Sequence, residues 1–515
     1  MSSVDLNLLI PILLIPLLSI LTIIFLAAAK NGRGAIQPKS YPLIGMEISR
    51  YIHRHNRMQW ATDILKSTPS LTFTMHRFFP IPPVIDTANP ANVNHILSTN
   101  FHNYQKGPRF RAIFHDLLGD GIFNADGENW KFQRQVASRE FSTKSLRRFM
   151  ATVVEDEQRD RLMPVLASAA QTDSVLDLQD VLQRFTFDNI CQIAFGYDPA
   201  YLSVHLTRTQ FADAFERATF ATSERYYSVN PMWIVKKFLH IGSEKKLRAD
   251  VNHVRNLALT IIKQKKTKLD SNSNIDDAGD DLLSRFLSSG HSDLSFVVDI
   301  VISFVLAGRD TTSAALTWFF WLVQNNPRVE SEILKEVSKQ NPDLNSFEEA
   351  RELIYTHAAL CESMRLYPPV PADVKQAVND DVLPDGTKVR KGMVVAYIPY
   401  AMGRMEELWG ADWEEFKPER WLQKDEVTNR VKLVGIDWCK YPVFQAGPRI
   451  CLGKDMAFLQ MKRVVARVMK EFKVTPAVEG FEPAFEAHLT AKMRGGFPVK
   501  VERRKIEDAV NGSTF

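Results

Sequence analysis

The apolar positions divide the chain into a short N-terminal segment and a long body. Residues Leu6–Ala29 are nearly all apolar, and their polar interruptions are Asn7, Ser19 and Thr22. A run of this length exceeds the about 20 residues that a helix needs to span the hydrocarbon core of a bilayer. The pattern therefore predicts a transmembrane anchor in residues 1–29.

The charges around the apolar run predict its orientation. Lys30, Arg33 and Lys39 follow the run, whereas Asp5 precedes it. Positive residues stay on the cytosolic side of a membrane, so the body is expected to face the cytosol. A cleaved signal peptide is the competing interpretation because Ala27–Ala29 resembles a cleavage site, although a signal peptide has a charged start and a shorter apolar core.

A stiff connection leads from this segment to the body. Residues 30–45 contain Pro38, Pro42 and Gly45, a composition that favours turns over helix and predicts a hinge. The remaining residues, 46–515, are expected to form one domain.

The longest pattern in the body is helical. Ser292 or Asp293 can cap an apolar pattern that runs to Asn326, where Pro327 ends it. A helix of about 30 residues is about 45 Å long and could cross the whole molecule.

Shorter patterns complete a body that is mainly α-helical with minor β structure. Helices are predicted over Phe347–Leu366 and Lys454–Phe472. Turn signals between short β-branched runs predict a small sheet over Val378–Ile398. The residues Leu269–Asp281 are rich in Asp, Asn, Ser and Gly and predict a surface loop.

Composition narrows the classes of function. The 64 Lys and Arg residues against 60 Asp and Glu residues give a net charge of +4, which offers no case for binding nucleic acid. The four cysteines in 515 residues do not make a disulfide framework and fit a reducing, cytosol-facing location. They are Cys191, Cys361, Cys439 and Cys451.

One of these cysteines lies in a pattern with a chemical meaning. The string Phe-x-x-Gly-x-Arg-x-Cys-x-Gly is complete from Phe444 to Gly453, and it suits a thiolate, that of Cys451, bound to haem iron. Gly447 can supply a positive φ for a tight turn, and Arg449 is placed to pair with a haem propionate. Phe444 can shield the sulfur from water. The alternative is a buried structural cysteine in a glycine-rich turn.

A second pattern interrupts the long predicted helix. The sequence Ala-Gly-Arg-Asp-Thr-Thr begins at Ala307, and Gly308 costs about 1 kcal/mol of helix stability relative to alanine. Small residues here can make room for a flat cofactor and for O₂, and Asp310 with Thr311 forms an acid–alcohol pair that could carry protons. The alternative is a glycine that packs against another helix and a threonine that bonds back to the carbonyl four residues earlier.

Two further pairs of residues share helical faces. Trp130 and Arg134 are four residues apart, and Glu362 and Arg365 are three residues apart. By themselves, such pairs are typical of ordinary packing or of surface charge.

The four motifs follow one another along the chain as Trp130–Arg134, Ala307–Thr312, Glu362–Arg365 and Phe444–Gly453. In this chain order they resemble the cytochrome P450 superfamily, over nearly the whole chain. The resemblance implies the cytochrome P450 fold and a monooxygenase that uses O₂ and haem b (iron protoporphyrin IX), with Cys451 as the axial thiolate of the iron. The cofactor-binding residues it implies are Trp130, Arg134, Ala307, Gly308, Phe444, Gly447, Arg449, Cys451 and Gly453. It also implies a catalytic pair, Asp310 and Thr311, and a buried ionic cluster that serves folding, Glu362, Arg365 and Arg420.

Three other polar residues are weaker candidates for contact with the haem. Lys375 is a further possible partner for a propionate. His357 and His488 are expected to be ordinary packed histidines, because thiolate ligation leaves no need for a second protein ligand.

Finer detail is similar to the plant fatty-acid ω-hydroxylase clan, which includes a branch that hydroxylates jasmonoyl-amino acid conjugates. The similar stretches are Arg184–Cys191, Tyr400–Met405, Trp409–Asp412 and Pro418–Leu422. The resemblance implies hydroxylation of the terminal or near-terminal carbon of a fatty acid or related lipid. A jasmonoyl conjugate and a sterol side chain are the alternative substrates.

A fatty acid attacked at its far end would enter tail-first through a long apolar channel. Arg109 and Arg111 could meet its carboxylate, or both could be solvated surface residues. The segments expected to line the channel by family position are Phe101–Phe123, Phe211–Tyr227, Phe304–Thr312, Val370–Val374 and His488–Lys492.

The electron donor is expected to be a separate protein. The sequence has no Gly-x-Gly-x-x-Gly fingerprint for NADPH, so the resemblance implies an NADPH-dependent cytochrome P450 reductase as partner. Arg139, Arg147, Arg148 and Lys454 could dock this acidic partner or could simply aid solubility. The implied location is the endoplasmic reticulum membrane, crossed once, with the catalytic domain in the cytosol.

Two rival classes of protein share some of these features. A haem-thiolate isomerase or dehydratase needs no O₂, but such enzymes typically alter the acid–alcohol pair, and here both Asp310 and Thr311 are present. A non-catalytic haem-binding sensor is the second rival, and the long helix with a glycine-weakened centre argues against it.

Overall fold

The computed structural model describes residues 38–206, 210–227, 232–271, 281–289, 293–339, 346–425 and 430–504. The predicted anchor, residues 1–29, and the first part of the hinge, residues 30–37, lie outside the described residues. Within those ranges no helix is both long enough and apolar enough to cross a bilayer.

Helices make up most of the described chain. In chain order they are α1 (Glu47–Ile52), α2 (Arg57–Lys66), α3 (Pro90–Asn94), α4 (Gly107–Leu118), α5 (Gly127–Ser138), α6 (Thr143–Phe149), α7 (Glu155–Glu157), α8 (Met163–Thr172), α9 (Leu178–Phe195) and α10 (Gln210–Tyr227). They continue with α11 (Met232–Leu239), α12 (Gly242–Ser271), α13 (Leu282–Ser288), α14 (Leu294–Gln324), α15 (Pro327–Ser338), α16 (Ser346–Glu352), α17 (Ile354–Leu366), α18 (Pro399–Met402), α19 (Glu406–Trp409) and α20 (Lys454–Glu471).

The strands are short and form small sheets. They are β1 (Thr72–Met75), β2 (Val84–Thr87), β3 (Tyr104–Gln105), β4 (Leu176–Asp177), β5 (Asp373–Ala377), β6 (Asp381–Val382), β7 (Lys388–Val389), β8 (Val394–Tyr397), β9 (Leu422–Lys424), β10 (Val431–Leu433), β11 (Phe472–Pro476), β12 (Phe485–Ala487), β13 (Ala491–Met493) and β14 (Pro498–Arg503). The largest sheet has the order β1-β2-β8-β5-β3, in which β2 and β8 are parallel and the other neighbours are antiparallel.

The long helix α14 confirms the sequence prediction. The Asp293 side chain accepts a hydrogen bond from the backbone N–H of Ser295, and the helix runs for 31 residues to just before Pro327. Its centre is tied to α9, because the Thr186 hydroxyl donates to the Arg309 carbonyl at 2.8 Å. The prediction of a small sheet was also confirmed, since β6 and β7 form a hairpin and β8 joins the largest sheet.

Two predictions need correction. The predicted helix Phe347–Leu366 is two helices, α16 and α17, separated at Leu353. The carboxylate of Glu336 on α15 accepts from the backbone N–H groups of Tyr355 and Thr356, at 2.6 and 2.9 Å. It therefore binds free N–H groups at the start of α17 and stabilises a new helix start that the local sequence does not indicate.

The first residues of the predicted loop Leu269–Asp281 belong to a helix. Helix α12 continues through Ser271, and residues 272–280 of the prediction lie outside the described residues. Asp281 caps α13, because its side chain accepts from the backbone N–H of Ser284.

Candidate active site

The loop before α20 presents Cys451. The chain turns through a short 3₁₀ segment, Gly447–Arg449, and the backbone N–H of Cys451 donates to the carbonyl of Phe444 at 2.8 Å. Cys451 is exposed, whereas Cys191 and Cys361 are buried. The accessible sulfur fits a ligand role better than the buried structural cysteine that was the alternative.

Gly447 fits its place in two ways. Its φ is +58°, as the sequence predicted, and an added Cβ would lie 2.0 Å from the carbonyl oxygen of Leu97. Gly447 therefore lies very close to the backbone of Leu97. Nothing in the sequence indicated that the segment around Leu97 would contact the cysteine loop. A side chain at this position would force the cysteine loop away from that segment.

The surroundings of the Cys451 sulfur determine its charge. Although Cys451 is exposed as a residue, the protein groups packed around its sulfur desolvate it and raise the pKa of the thiol, while the backbone N–H of Gly453 and the cations of Arg134 and Lys454 act in the opposite direction. A thiolate here would therefore gain from a metal cation at the sulfur.

Trp130, Arg134 and Arg449, for which the resemblance implies haem binding, lie close together. The Arg449 guanidinium is 4.5 Å from the centre of the Trp130 ring, and that of Arg134 is 5.9 Å from it. Arg449 Nη2 donates to Asp126 Oδ1 at 2.8 Å and to the carbonyl of Ala125 at 3.0 Å. Its Nε is buried and has no partner among the described residues.

These residues fit a haem group. An accessible sulfur, a buried arginine nitrogen without a partner and a second arginine beside the same tryptophan form a donor set for an iron porphyrin with anionic propionates. Their individual haem contacts stay predictions.

Lys375 forms an ion pair within the protein. Its ammonium lies 2.7 Å from Asp373 Oδ2, and Lys106 lies 3.0 Å from Oδ1 of the same carboxylate. Burial lowers the pKa of Lys375 to about 7. Although burial acts to raise the pKa of Asp373, Lys106 and Lys375 hold it well below its usual range. Lys375 as a propionate partner stays a prediction.

The centre of α14 shows the contacts that the packing alternative predicted. A Cβ on Gly308 would lie 2.5 Å from Cγ1 of Ile190 on α9, so this glycine allows the two helices to pack closely. The Thr311 hydroxyl donates to the carbonyl of Ala307 at 2.6 Å. Ala307 and Thr311 also line the main cavity, so both are placed to face a bound ligand. The cofactor-binding role of Gly308 stays a prediction.

Asp310 belongs to a chain of charges. Its Oδ1 accepts from Arg309 Nη1 at 2.7 Å, and its Oδ2 is buried without a partner among the described residues. Arg309 Nη2 lies 4.0 Å from Glu216, whose carboxylate accepts from Lys492 Nζ at 2.6 Å. A line of ionic contacts therefore connects the buried acid with the protein surface.

The main cavity has a volume of about 600 Å³. Each of the five segments predicted to line a channel contributes to it, through residues that include Phe114, Tyr226, Thr311, Val374 and Leu489. The structure adds lining residues that the sequence did not indicate, from α1, α2 and the strands β1, β2 and β8. No local motif marks them, because distant parts of the chain bring them to the cavity.

The two arginines proposed to meet a carboxylate differ. Arg109 lines the cavity, and burial of its guanidinium lowers its pKa. Arg111 forms an ion pair with Asp120 at 2.9 Å, and both side chains are about half exposed, 45% and 46%. Arg111 therefore fits the alternative of a solvated surface residue.

The histidines occupy different surroundings. His357 stacks on Phe458 with ring centres 3.9 Å apart, and burial lowers its pKa to about 3. This contact fits the expected packed histidine. His488 lines the cavity and lies 3.3 Å from Glu486, so its setting is more polar than the sequence suggested.

The ionic cluster forms as the resemblance implied. Glu362 accepts two hydrogen bonds of 2.8 Å from Arg365 and one of 3.2 Å from Arg420. The Trp421 indole N–H adds a bond of 2.9 Å to the same carboxylate, a partner that the sequence did not indicate.

The proposed docking surface for a redox partner is basic and open. Arg139, Arg147 and Arg148 are exposed, and Lys454 beside the cysteine loop is half-buried with its ammonium 4.7 Å from the Trp438 ring. Their role in docking stays a prediction.

Comparison with known proteins agrees with this geometry. The sequence model of the family Cytochrome P450 matches residues 50–499. Cytochrome P450 94A2 of Vicia sativa is 57% identical over 470 residues, which is 91% of this chain and 91% of the relative. Cytochrome P450 94A1 of Vicia sativa is 56% identical over 469 residues, 91% of this chain and 90% of the relative. Cytochrome P450 94B1 of Arabidopsis thaliana is 47% identical over 475 residues, 92% of each chain. Because the match covers the cysteine loop, the long helix and the ionic cluster alike, the chain belongs to the cytochrome P450 family and is a monooxygenase of that family.

Proposed function

We propose that this protein is a membrane-anchored haem-thiolate monooxygenase that hydroxylates the terminal or near-terminal carbon of a fatty acid. The observation that carries the proposal is the composition of the main cavity. Apolar side chains provide most of its surface, the Thr311 hydroxyl and Ala307 lie on one wall, and arginines including Arg57 and Arg109 lie on others. Such a cavity suits a molecule with one long apolar part and one anionic group.

The residues around Cys451 would hold haem b. Cys451 would ligate the iron, and Arg449, Arg134 and Trp130 would hold the propionates. When bound, the haem supplies the binding and reduction of O₂ that insertion of oxygen into an unactivated C–H bond requires.

The protein's own residues position the substrate and protons. Phe110, Phe114 and Leu306 on the cavity wall exclude water from the alkyl chain. Since the Thr311 hydroxyl donates its proton to the Ala307 carbonyl, its oxygen keeps lone pairs that can accept a hydrogen bond from the cavity. Oδ2 of Asp310, one residue earlier on α14, has no hydrogen-bond partner among the described residues and is therefore the acid oxygen that we propose takes part in proton delivery.

Electrons would come from NADPH through a separate cytochrome P450 reductase. The exposed arginines Arg139, Arg147 and Arg148 offer an acidic partner a basic surface. The apolar run in residues 1–29 supports a single-pass location in the endoplasmic reticulum membrane, with this surface in the cytosol.

The test is product analysis. Membranes that contain this protein and a reductase are supplied with NADPH and dodecanoic acid, and the position of the hydroxyl group is determined by mass spectrometry. A product hydroxylated at or next to the terminal carbon supports the proposal. A normal reduced-CO spectrum without product would overturn the fatty-acid assignment, and jasmonoyl-amino acid conjugates and sterols would then be assayed in the same membranes.

A further inference from the structure

Several arginines surround the part of the main cavity that is formed by α1, α2 and β1. Two of them share one carboxylate within the protein, since Arg50 and Arg77 each lie 2.5 Å from that of Glu47. Arg54 is exposed, and it donates to the carbonyl of Tyr51 at 2.9 Å. These three side chains have partners that account for their positions.

Arg57, the first residue of α2, is different. Its guanidinium lies 3.6 Å from the centre of the Tyr227 ring, and its Nη2 donates to the carbonyl of Ala487. Its Nε is buried and has no hydrogen-bond partner among the residues that the structure describes, and none of their carboxylates forms an ion pair with it. The side chain is thus fixed in position by two contacts while its charge has no counter-ion.

His488 follows Ala487 directly and has a similar unmatched atom. Its Nε2 lies 3.3 Å from Glu486, its ring meets the Phe220 ring edge-on at 4.9 Å, and its side chain is 10% exposed. Its Nδ1 is buried without a partner among the described residues. Two buried nitrogen atoms without partners therefore lie on neighbouring side chains.

These two side chains lie at a boundary between cavities. Arg57 and His488 line the main cavity, which Thr311 also lines, and they line a second cavity of about 370 Å³. Thr311 is not part of the second cavity. A polar group held by Arg57 and His488 would therefore lie on the side of the main cavity where the second cavity begins.

We propose that Arg57, assisted by His488, binds the carboxylate of the substrate and so sets which carbon reaches the oxidation site. This inference rests on the proposed function and identifies the binding residue for its anionic group. A half-buried guanidinium without a counter-ion among the described residues favours a carboxylate, and its Nε–H supplies a directed hydrogen bond. His488 can donate from Nδ1 only in its protonated form, because its Nε2 already faces Glu486. Burial and the nearby Arg57 lower the pKa of His488, so Arg57 is the principal ligand and a bound carboxylate favours protonation of the histidine.

The inference changes which arginine is expected to recognise the carboxylate. Arg109 also lines the cavity and its guanidinium is partly desolvated, but the residue as a whole is more exposed than Arg57, so water weakens an ion pair at Arg109 more. Arg57 is half-buried and already held against Tyr227 and Ala487, so binding an anion costs it little side-chain freedom.

The experiment compares matched ligands and matched variants of the haem-loaded full chain. Affinities for dodecanoic acid and for dodecan-1-ol are measured by the change in haem absorbance that each ligand causes. For Arg57→Met we expect Kd for the acid to rise by about tenfold or more, and Kd for the alcohol to change by less than about threefold. Arg57→Lys should recover part of the lost affinity, and Arg109→Met measures the contribution of the competing arginine. Arg111→Met is the control, because Arg111 lines neither cavity and pairs with Asp120.

The products give a second reading of the same variants. If Arg57 fixes the carboxylate of the fatty acid, removal of its guanidinium lets the alkyl chain slide along the cavity. Arg57→Met should then spread hydroxylation over several carbons, whereas Arg109→Met should not. Equal losses for acid and alcohol, or a larger effect at Arg109, would overturn the anchor and leave the proposed function standing. If the wild-type enzyme binds neither ligand, the proposed function itself fails, and the anchor fails with it.

Discussion

Both carboxylate oxygens of Glu362 accept a hydrogen bond of 2.8 Å from the guanidinium of Arg365, and neither side chain is accessible to solvent. The remaining positions of this carboxylate are occupied by Arg420, Trp421 and the backbone N–H of Lys417. A buried charge that is fully hydrogen-bonded is tolerated, whereas removal of one partner leaves the others uncompensated.

Glu362→Gln should therefore lower the free energy of unfolding by about 3–5 kcal/mol and reduce the fraction of protein that retains haem. The measurements are denaturant unfolding and the haem-to-protein ratio after purification. The control is Glu332→Gln, because Glu332 and Lys335 form an ion pair of 2.9 Å with the same spacing but with side chains 42% and 38% exposed. Its loss should cost less than about 1 kcal/mol. Equal effects of the two substitutions would contradict the importance of burial.

Gly308→Ala tests why a glycine lies in the centre of α14. Alanine is the better helix former by about 1 kcal/mol, but its Cβ would lie 2.5 Å from Ile190 Cγ1. We expect the clash to prevail and the free energy of unfolding to fall by about 1–3 kcal/mol. The control is Gly435→Ala, because a Cβ on Gly435 would meet nothing within 4 Å.

A second substitution separates packing from cofactor binding. If contact with α9 is the reason for the glycine, then Ile190→Ala should make Gly308→Ala much less costly, which a double-mutant cycle measures. If Gly308 instead makes room for the haem or O₂, the loss of haem binding in Gly308→Ala should persist in the double variant.

The pH dependence of stability should report on Asp86. This side chain on β2 is 8% exposed, and burial raises its pKa to about 7, against the opposing effect of Arg50 and Arg77. The unfolded chain releases the proton near the usual value for aspartate, about 4, whereas the folded chain keeps it until about pH 7. The folded state binds more protons between these values, so this group lowers the free energy of unfolding as pH rises.

Asp86→Asn removes that dependence. The free energy of unfolding of the variant, relative to wild type, should rise by on the order of 2–4 kcal/mol between pH 4 and pH 8. Denaturant unfolding at several pH values measures the difference. A difference that stays constant across this range would show that Asp86 is ionised throughout.

How far the sequence predicts this molecule depends on the distance between interacting residues. The cap at Asp293, the proline at the end of α14 and the positive φ of Gly447 are local properties, and all were predicted. The break at Leu353 was not, because the carboxylate that stabilises it belongs to Glu336 on another helix.

The candidate site shows the same division. The motifs predicted roles for Cys451, Arg449 and Thr311, because the family resemblance transfers residue by residue. Arg57 has no motif, and its significance appears when α2 meets Tyr227 and the β12–β13 hairpin. Ile190 lies within a stretch that carried the resemblance to a plant clan, yet its contact with Gly308 depends on how α9 and α14 cross.

The hydroxyl of Thr311 should matter for coupling rather than for folding. Thr311→Val keeps the side-chain shape and removes the hydrogen bond of 2.6 Å from the Thr311 hydroxyl to the Ala307 carbonyl. The loss of stability should be modest, because a threonine hydroxyl that bonds to the carbonyl four residues earlier in its own helix adds little stability. The variant also loses the oxygen that can accept a hydrogen bond from the cavity. Since positioned proton transfer contributes about 10²–10⁴-fold to rates, we expect the hydroxylated product per NADPH consumed to fall by about tenfold or more. Thr311→Ser, which keeps the hydroxyl, should retain most of the coupling.

Product and NADPH are measured in one reaction mixture, with the reduced-CO spectrum as the check that haem is intact. Undiminished coupling in Thr311→Val would mean that this hydroxyl carries no proton in the reaction, and it would favour a route through Asp310 and the ionic chain to Glu216.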